Sequence, residues 1–287
     1  MSAQPPPDAY APTLLGVVNV SPESMVTGSI ARSRDEVVAR ARRLRDAGVA
    51  VVDLGGRSIT PDAPLVDDDE EQRRLWPALE ALVGEGFRVS VDTWSSATGC
   101  AAIERGASMV NFTGGEASAA LLAAARRAGA ALALTYMPYG DAYRMRSAAR
   151  VPYRIDAIVA HLGPRVARAR DAGVERVIVD PNLGILHPDT EDETKIHLQL
   201  DVVWNTERLR GLGCPLLYYA ARKPERLARI MMASAVLHAR PEYVRTHEPE
   251  TIRKLLAAAR ESELGRGGPA APRTDGTTTG LATEDGP

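Results

Sequence analysis

Polar side chains recur at the ends of short apolar runs in this 287-residue chain. The carboxylates, amides and phenol at these positions are Asn19, Asp53, Asp92, Asn111, Tyr136 and Asp180, and the cations and imidazole are Arg222, Lys223, Arg245 and His247. Carboxylates accept hydrogen bonds from ring N–H and amino groups, and an amide both donates and accepts, so the first set suits the edge of a flat heterocycle. Guanidinium and ammonium groups suit a phosphate or another anion. These residue types predict a site for a small molecule that joins a heterocycle to an anion.

The apolar runs predict the elements that position these side chains. Each run is followed by an amphipathic stretch, which is typical of repeated βα units. The predicted strands are 13–18, 49–54, 87–92, 107–111, 130–136, 175–180, 214–219 and 242–246, and the predicted helices are 34–47, 68–84, 94–104, 118–127, 153–171, 195–211, 223–238 and 249–262. Eight units in this order favour an α/β fold, a single-domain TIM (β/α)8 barrel. The alternative is an open, doubly wound sheet, but no GxGxxG follows the first strand.

In a parallel barrel the carboxyl ends of the strands converge on one mouth, so we expect the strand-end residues to form one site. The carboxylates and amides would form one side of that site and the cations the other. A pterin has the edge that the first side would recognise. For any single residue the alternative is structural: a helix N-cap, a buried hydrogen-bonded group, or a surface ion pair in the case of the cations.

Composition limits the partners and the location. The 35 Lys and Arg residues nearly balance the 37 Asp and Glu residues, so we expect a small-molecule partner and neither nucleic acid nor a membrane. The two cysteines, Cys100 and Cys214, lie far apart, so we expect no disulfide framework and no zinc site. No apolar run approaches the roughly 20 residues of a membrane helix, and the first residues do not resemble a signal peptide. These features predict a cytoplasmic protein.

The two ends of the chain differ from the middle. Residues 1–12 are rich in proline, and the last residues are mostly Gly, Pro, Thr, Ala and acidic residues without apolar periodicity. We therefore predict disordered tails at 1–12 and 263–287, with the barrel over 13–262.

Seven segments resemble, in order, the motifs of dihydropteroate synthase, a pterin-binding barrel. They are GVVNVSPES (16–24), DLGGRSITPDA (53–63), SVDT (90–93), MVNFTGG (109–115), VDP (179–181), AARK (220–223) and RTHEP (245–249). On these motifs the chain is identified as a divergent member of the pterin-binding superfamily. The resemblance implies a transferase that condenses a dihydropterin diphosphate with p-aminobenzoate or a related nucleophile and releases diphosphate. A pterin or folate would be the substrate.

The resemblance also assigns roles to residues on the pterin side. Asp92, Asn111 and Asp180 would hold the pterin edge, and Met137 would contact the substrate. Lys223 would contact the carbonyl side of the pterin or the p-aminobenzoate region.

On the diphosphate side, the resemblance implies that Asn19, Arg245 and His247 bind the leaving group. Asn19 would also touch a magnesium ion, which the diphosphate itself would mostly hold. Lys223, Arg245 and His247 are thus the candidate catalytic residues. The family usually forms dimers through late helices, so a homodimer is expected, with 228–237 as the candidate interface and core packing as the alternative for that stretch.

The loops depart from the family more than the strand ends do. In the second loop Ile59 and Thr60 replace a Thr and an Arg, and Arg57 either compensates or points away. Other departures are Met25, Val26 and Thr27 in the first loop, Phe112, Tyr136, Ala221, and His187 in place of a Lys. The Tyr-rich segment 136–143 is either an aromatic lid or an ordered loop.

Because the pterin-edge residues are kept while these loops have changed, we expect pterin binding but question the standard condensation. Two alternatives follow: a folate-dependent one-carbon transferase of the same superfamily, or a catalytically silent pterin-binding paralogue.

Overall fold

A computed structural model describes residues 10–24, 28, 30–31, 33–60, 63–220 and 225–266. The strands are β1 (Thr13–Asn19), β2 (Val51–Gly55), β3 (Val89–Thr93), β4 (Met109–Phe112), β5 (Ala131–Thr135), β6 (Val177–Asp180), β7 (Leu217–Tyr219) and β8 (Tyr243–Thr246). The helices are α1 (Arg34–Asp46), α2 (Asp68–Gly84), α3 (Ser96–Glu104), α4 (Ala119–Ala128), α5 (Ala142–Met145), α6 (Ile155–Asp171), α7 (Asp192–Trp204), α8 (Thr206–Arg210), α9 (Arg226–His238) and α10 (Pro249–Arg266). Every predicted strand is present.

The eight strands form one parallel sheet in the order β6-β5-β4-β3-β2-β1-β8-β7. The two end strands approach each other through a parallel bridge between Val179 and Leu216, and the Val179 amide donates to the Pro215 carbonyl at 3.0 Å. An open doubly wound sheet would leave these edges apart. The prediction of a (β/α)8 barrel is therefore confirmed.

Three helical regions differ from the prediction. Helix α10 runs to Arg266, so the first four residues of the predicted tail are helical. The predicted helix 195–211 is two helices, α7 and α8, that meet at Asn205, whose Nδ2 donates to the Asp201 carbonyl at 2.8 Å. An Asn side chain that bonds to the backbone competes with helical hydrogen bonds, which explains the break. The short helix α5 was not predicted. It begins at the N-cap Asp141, whose side chain accepts from the Arg144 amide at 2.7 Å.

Two apolar clusters stabilise the barrel. The larger one fills the layer between the sheet and the surrounding helices. The smaller one fills the inside of the barrel and consists of Leu15, Val51, Met109, Ala131, Ala133, Ile178 and Leu217. Because successive side chains of a strand point to opposite faces, residues two positions further along these strands also point into the barrel, nearer to its mouth. The inner cluster is thus the floor beneath any site at the strand ends.

No helix among the described residues is long and apolar enough to cross a membrane.

Candidate active site

Strand alternation places the polar residues above the inner cluster. Asp53 follows Val51 by two positions, Asn111 follows Met109, and Asp180 follows Ile178. All three polar side chains are buried, with Asp53 at 0%, Asn111 at 1% and Asp180 at 6% exposure. A buried polar group is costly unless it is bonded, so their partners define the site.

Arg245 of β8 reaches across the mouth to two carboxylates. Its Nε donates to Asp53 Oδ2 at 2.6 Å, and its Nη2 donates to Asp92 Oδ2 at 2.7 Å. We expected the cations to form a side of their own, opposite the carboxylates. For Arg245 that expectation is wrong, because two carboxylates buried in a narrow barrel need a nearby positive charge. The acidic and basic groups form one network.

The amide and hydroxyl neighbours complete this network. Asn111 Nδ2 donates to Asp53 Oδ2 at 3.3 Å, and Thr113 Oγ1 donates to Asp92 Oδ1 at 3.1 Å. Two acceptor atoms remain: Asp53 Oδ1 and Asn111 Oδ1 are buried and have no hydrogen-bond partner among the described residues. Buried acceptors without partners are rare in native structures, so these oxygens are suited to N–H groups of a ligand.

Burial changes the protonation of the carboxylates. The pKa of Asp180 is raised to about 7, chiefly by burial, while the Asn182 amide, which donates to Oδ1 at 2.7 Å, and Arg245 oppose the shift. The pKa of Asp92 is raised to about 6 by burial and by Asp53, against the attraction of Arg245. The pKa of Arg245 itself is raised by the two carboxylates, so its positive charge is secure. Perturbed carboxylates that converge in a barrel mouth are typical of a functional site.

Asn19 ends β1 beside the second strand. Its Nδ2 donates to Ser24 Oγ at 3.1 Å, which orients the amide group. Its Oδ1 lies on the side of Gly55, where a Cβ would come within 2.9 Å of that oxygen. Glycine at position 55 therefore leaves room for the Asn19 amide oxygen at the rim of the mouth.

His247 follows β8 and lies near Arg245. Its ring packs edge-on against that of Tyr219, with the centroids 5.9 Å apart. The Arg245 guanidinium lies 5.5 Å from the centre of the Tyr219 ring. The structure thus brings Arg245, His247 and Tyr219 together at the β7–β8 side. Lys223, the remaining candidate catalytic residue, lies outside the described residues, as do Ala221 and Arg222.

The loop after β5 is ordered by its own tyrosines. Tyr136 donates to the Pro152 carbonyl at 3.1 Å, Tyr139 accepts from the Val151 amide at 3.0 Å, and Tyr143 accepts from the Val66 amide at 3.0 Å. These hydroxyls are used within the protein, which supports the ordered-loop alternative over an aromatic lid. Met137 of this loop is only 1% exposed and lines a cavity beside the loop after β6.

The second loop is held by contacts with the rest of the protein. The Arg57 side chain is 5% exposed and pairs with the fully buried Glu71 at 2.8 Å and with Asp68. Its guanidinium also lies 4.8 Å from the centre of the Trp94 ring. Arg57 therefore points toward α2, and it does not replace the cation that the family has at position 60.

Position 60 is likewise engaged in internal contacts. The hydroxyls of Ser58 and Thr60 lie 2.6 Å apart and donate to the Glu23 carbonyl at 3.1 and 3.3 Å. Arg146, beyond α5, donates to the carbonyls of Thr60 and Ala63 at 2.6 and 2.9 Å. The first, second and fifth loops are thus joined to one another.

Three residues take part in the hydrogen-bond network of the candidate site although the sequence motifs gave them no role there. Asp53 was recognised as a strand-end residue but given no role, although its two-residue spacing from Val51 places it inside the barrel. Thr113 and Asn182 bond directly to Asp92 and Asp180. Asn182 has a left-handed φ of 65° that no sequence signal specified, because Asn only moderately favours that conformation.

The fold and the site together are those of barrel enzymes that bind a small heterocycle at the carboxyl ends of their strands. The family model described as "Pterin binding enzyme" matches residues 15–259. The chain therefore belongs to the pterin-binding enzyme family, as a divergent member.

A curated relative, the type-2 dihydropteroate synthase of Escherichia coli, is 30% identical over 269 residues, covering 87% of this chain and 96% of the relative. Dihydropteroate synthase of Bacillus subtilis is 27% identical, covering 89% and 90%.

Solved structures agree with this family. Dihydropteroate synthase of Yersinia pestis, in complex with a sulfonamide drug, superposes with a TM-score of 0.76 at 21% identity, covering 90% of this chain and 96% of that one. The Thermus thermophilus enzyme in complex with 6HMPPP gives 0.69 at 26% identity, covering 90% and 96%. The first comparison supports the barrel fold, and the second extends the likeness to a pterin-binding synthase.

Proposed function

We propose that this protein is a dihydropteroate synthase, a transferase that condenses a dihydropterin diphosphate with p-aminobenzoate. The observation that carries the proposal is the pair of buried acceptors, Asp53 Oδ1 and Asn111 Oδ1, beside the carboxylates of Asp92 and Asp180. One edge of a pterin presents ring N–H and amino donors, which these oxygens would accept. The match to synthases along nearly the whole barrel supports this substrate.

On the pterin side, Asp92, Asn111 and Asp180 would hold the ring edge, joined by Asp53. The raised pKa of Asp180, about 7, shows that its charge is poorly solvated without a ligand. An N–H donor from the pterin would stabilise the ionised form. Met137, which is buried in the adjoining loop, would form part of the apolar surround.

On the diphosphate side, Asn19, Arg245 and His247 would contact the leaving group, with Lys223 as a fourth contributor. Nη1 of Arg245 is the nitrogen that its two ion pairs do not use. A guanidinium and an imidazole beside the same tyrosine would stabilise the negative charge that develops as diphosphate leaves.

A magnesium ion fits one feature of this rim, the amide oxygen of Asn19. Oxygen ligands suit magnesium, and an ion that a diphosphate already holds needs few ligands from the protein. The bond from Asn19 Nδ2 to Ser24 Oγ orients the amide group, whose Oδ1 would be the ligating atom. When bound, the ion would neutralise charge on the diphosphate.

The reaction then needs little acid or base assistance from the chain. The C–O bond between the pterin methylene and the diphosphate breaks, and the electron pair leaves with the diphosphate. The amine of p-aminobenzoate forms the new C–N bond and loses a proton. The residues of this chain orient the ring, exclude water and stabilise the leaving anion.

The alternatives raised by the altered loops have no comparable support. The relatives and solved structures described above are synthases, which supports condensation over one-carbon transfer from a folate. The same comparisons, together with the retained Arg245 and His247, support an enzyme over a silent paralogue.

Mass spectrometry of the product tests the proposal. Incubation with dihydropterin diphosphate, p-aminobenzoate and magnesium should yield dihydropteroate and one equivalent of diphosphate. Arg42→Gln, which breaks an exposed ion pair with Glu85, is the control and should retain activity. Methyltetrahydrofolate should not donate its methyl group. Absence of dihydropteroate with a protein that still binds pterins would contradict the proposal.

We also infer a homodimer in the cytoplasm. Trp204, Leu227 and Met231 are exposed at 72, 67 and 61% around α7 and α9, which is unusual for large apolar side chains. The segment 228–237 divides between this face and the core, since Met232 and Val236 are buried. Light scattering should give the dimer mass, and Met231→Asp combined with Leu227→Asp should give the monomer.

A further inference from the structure

A small cavity lies beside the pterin-side residues, between the loop after β5 and the start of α7. Its volume is about 240 Å³. Its walls come from residues 136–139, 150–154, 182 and 185–187, from Thr190, and from Thr194 and Leu198 on α7. Because a cavity of about 150 Å³ can hold benzene, this one has room for a single aromatic ring with a short substituent.

The aromatic walls of this cavity are fixed before any ligand enters. Tyr136 and Tyr139 are held by the hydroxyl contacts described above, and Tyr153 donates to the carbonyls of Pro181 and Asn182 at 3.0 and 3.2 Å. His187 is held through Nε2 by the Ala148 carbonyl at 3.0 Å. A rigid cavity costs little ordering when a ligand binds.

The mouth of the cavity is cationic. Arg150 and Arg154 line it, and both are exposed. Asp156, two residues beyond Arg154, pairs instead with Arg208 at 2.6 Å, and neither lining arginine forms an ion pair within the described ranges. No carboxylate is among the described residues that line the cavity. An anionic group on a ligand would therefore complement these two charges.

We propose that this cavity is a binding site for a small aromatic carboxylate, with the ring between the tyrosines and the carboxylate at Arg150 and Arg154. The site goes beyond the proposed condensation. The residues proposed to act there lie in or shortly after the strands, whereas both arginines lie just before α6. Met137 and Asn182 form the wall between the two places, since they line the cavity and adjoin the pterin side.

Fluorine NMR with 4-fluorobenzoate tests this site in the full chain. Saturating dihydropteroate fills the reaction centre, so the remaining binding reports the cavity. The double variant Arg150→Gln/Arg154→Gln should weaken binding about tenfold or more, because both charge-assisted contacts are lost. Neutral 4-fluorobenzamide should show a similar loss with the wild type. Arg144→Gln, at an exposed arginine of α5 that does not line the cavity, is the matched control and should bind as the wild type does.

A second variant separates the cavity from the reaction centre. Leu198→Trp should fill the cavity and abolish 4-fluorobenzoate binding, with pterin affinity unchanged and the fold checked by circular dichroism. Displacement of 4-fluorobenzoate by dihydropteroate, or equal binding to the wild type and the double variant, would overturn the site. If dihydropteroate does not bind, the Leu198→Trp and double-variant comparisons still decide the question.

Discussion

The strand ends and the second loop use the same kinds of residue for different purposes. Arg245 at the strand ends contacts two carboxylates inside the barrel, beside acceptors that have no partner among the described residues. Arg57 in the second loop also contacts two carboxylates, but these belong to α2. The buried Arg57 Nε and Glu71 Oε1 likewise have no hydrogen-bond partner among the described residues. A buried ion pair with unsatisfied atoms beside it thus indicates a ligand site only where it lies inside the barrel at the strand ends.

The largest effect is expected at Asp53, which joins Arg245 to Asn111. Asp53→Leu leaves Arg245 with one carboxylate and removes a fully buried partner. Loss of about 3–5 kcal/mol in the free energy of unfolding is expected, because a buried charge is left partly uncompensated. Urea unfolding measures this loss. Arg42→Gln, at an exposed pair, should cost under about 1 kcal/mol, and an equal cost for both variants would show that the Asp53 pair is not structurally special.

Arg57→Leu distinguishes the second loop from the strand ends. Removing Arg57 exposes Glu71 to the same penalty, so stability should fall by about 3 kcal/mol. Affinity for a reduced pterin should remain within about twofold where the protein is folded, because both carboxylates that Arg57 contacts belong to α2. Calorimetry checks the affinity. The double variant Arg57→Leu/Glu71→Leu should recover part of the lost stability. A large loss of pterin affinity in the single variant would place Arg57 in the site.

Asp180→Asn should weaken pterin binding by about 1–3 kcal/mol, since an acceptor for a ring N–H is lost. The pKa of about 7 also predicts a pH dependence. Binding to the ionised carboxylate should strengthen as pH rises through 7, and the Asn variant should lose this dependence. Titration calorimetry at pH 6 and 8 measures both effects.

The same substitution has the opposite effect on the stability of the free protein. The folded pKa of Asp180 is raised above its ordinary value of 3.8, so the folded state binds more protons between about pH 4 and 7. Its contribution to stability therefore falls as pH rises through that window. The difference in melting temperature between the Asp180→Asn variant and the wild type should therefore be more positive at pH 8 than at pH 4. If this difference were instead more negative at pH 8, the ionised Asp180 carboxylate would stabilise the fold.

The smallest effect is expected for Thr113→Val, which removes the hydroxyl that donates to Asp92 Oδ1 at 3.1 Å. Pterin affinity should fall by about 1 kcal/mol, because Asp92 loses one fixed contact while keeping Arg245. Calorimetry with a reduced pterin measures the change. Ser108→Ala, just before β4, removes a hydroxyl that donates to the Val89 carbonyl and should leave affinity unchanged. An equal loss of affinity there would point to a general effect on the strand.

The barrel was predictable because apolar runs and amphipathic stretches follow each other along the chain. The strand-end residues were predictable because each of them lies at the end of an apolar run. Val51 and Asp53 show this well: two-residue spacing places one inside the barrel and the other above it. The ion pairs were not predictable. Arg245 and Asp92 are separated by 153 residues, and nothing local indicates that the guanidinium crosses the mouth. The direction of Arg57 also depended on where α2 packs, so both orientations were open from the sequence.

A structure of the protein with a bound dihydropterin is the decisive test of the proposed pterin site. We expect the ring edge to lie within hydrogen-bond distance of Asp92, Asn111 and Asp180, and Asp53 Oδ1 or Asn111 Oδ1 to gain a donor. Arg57 should keep its contacts with Glu71. A pterin bound elsewhere, or one held by the second loop while these acceptors stay unsatisfied, would contradict the account.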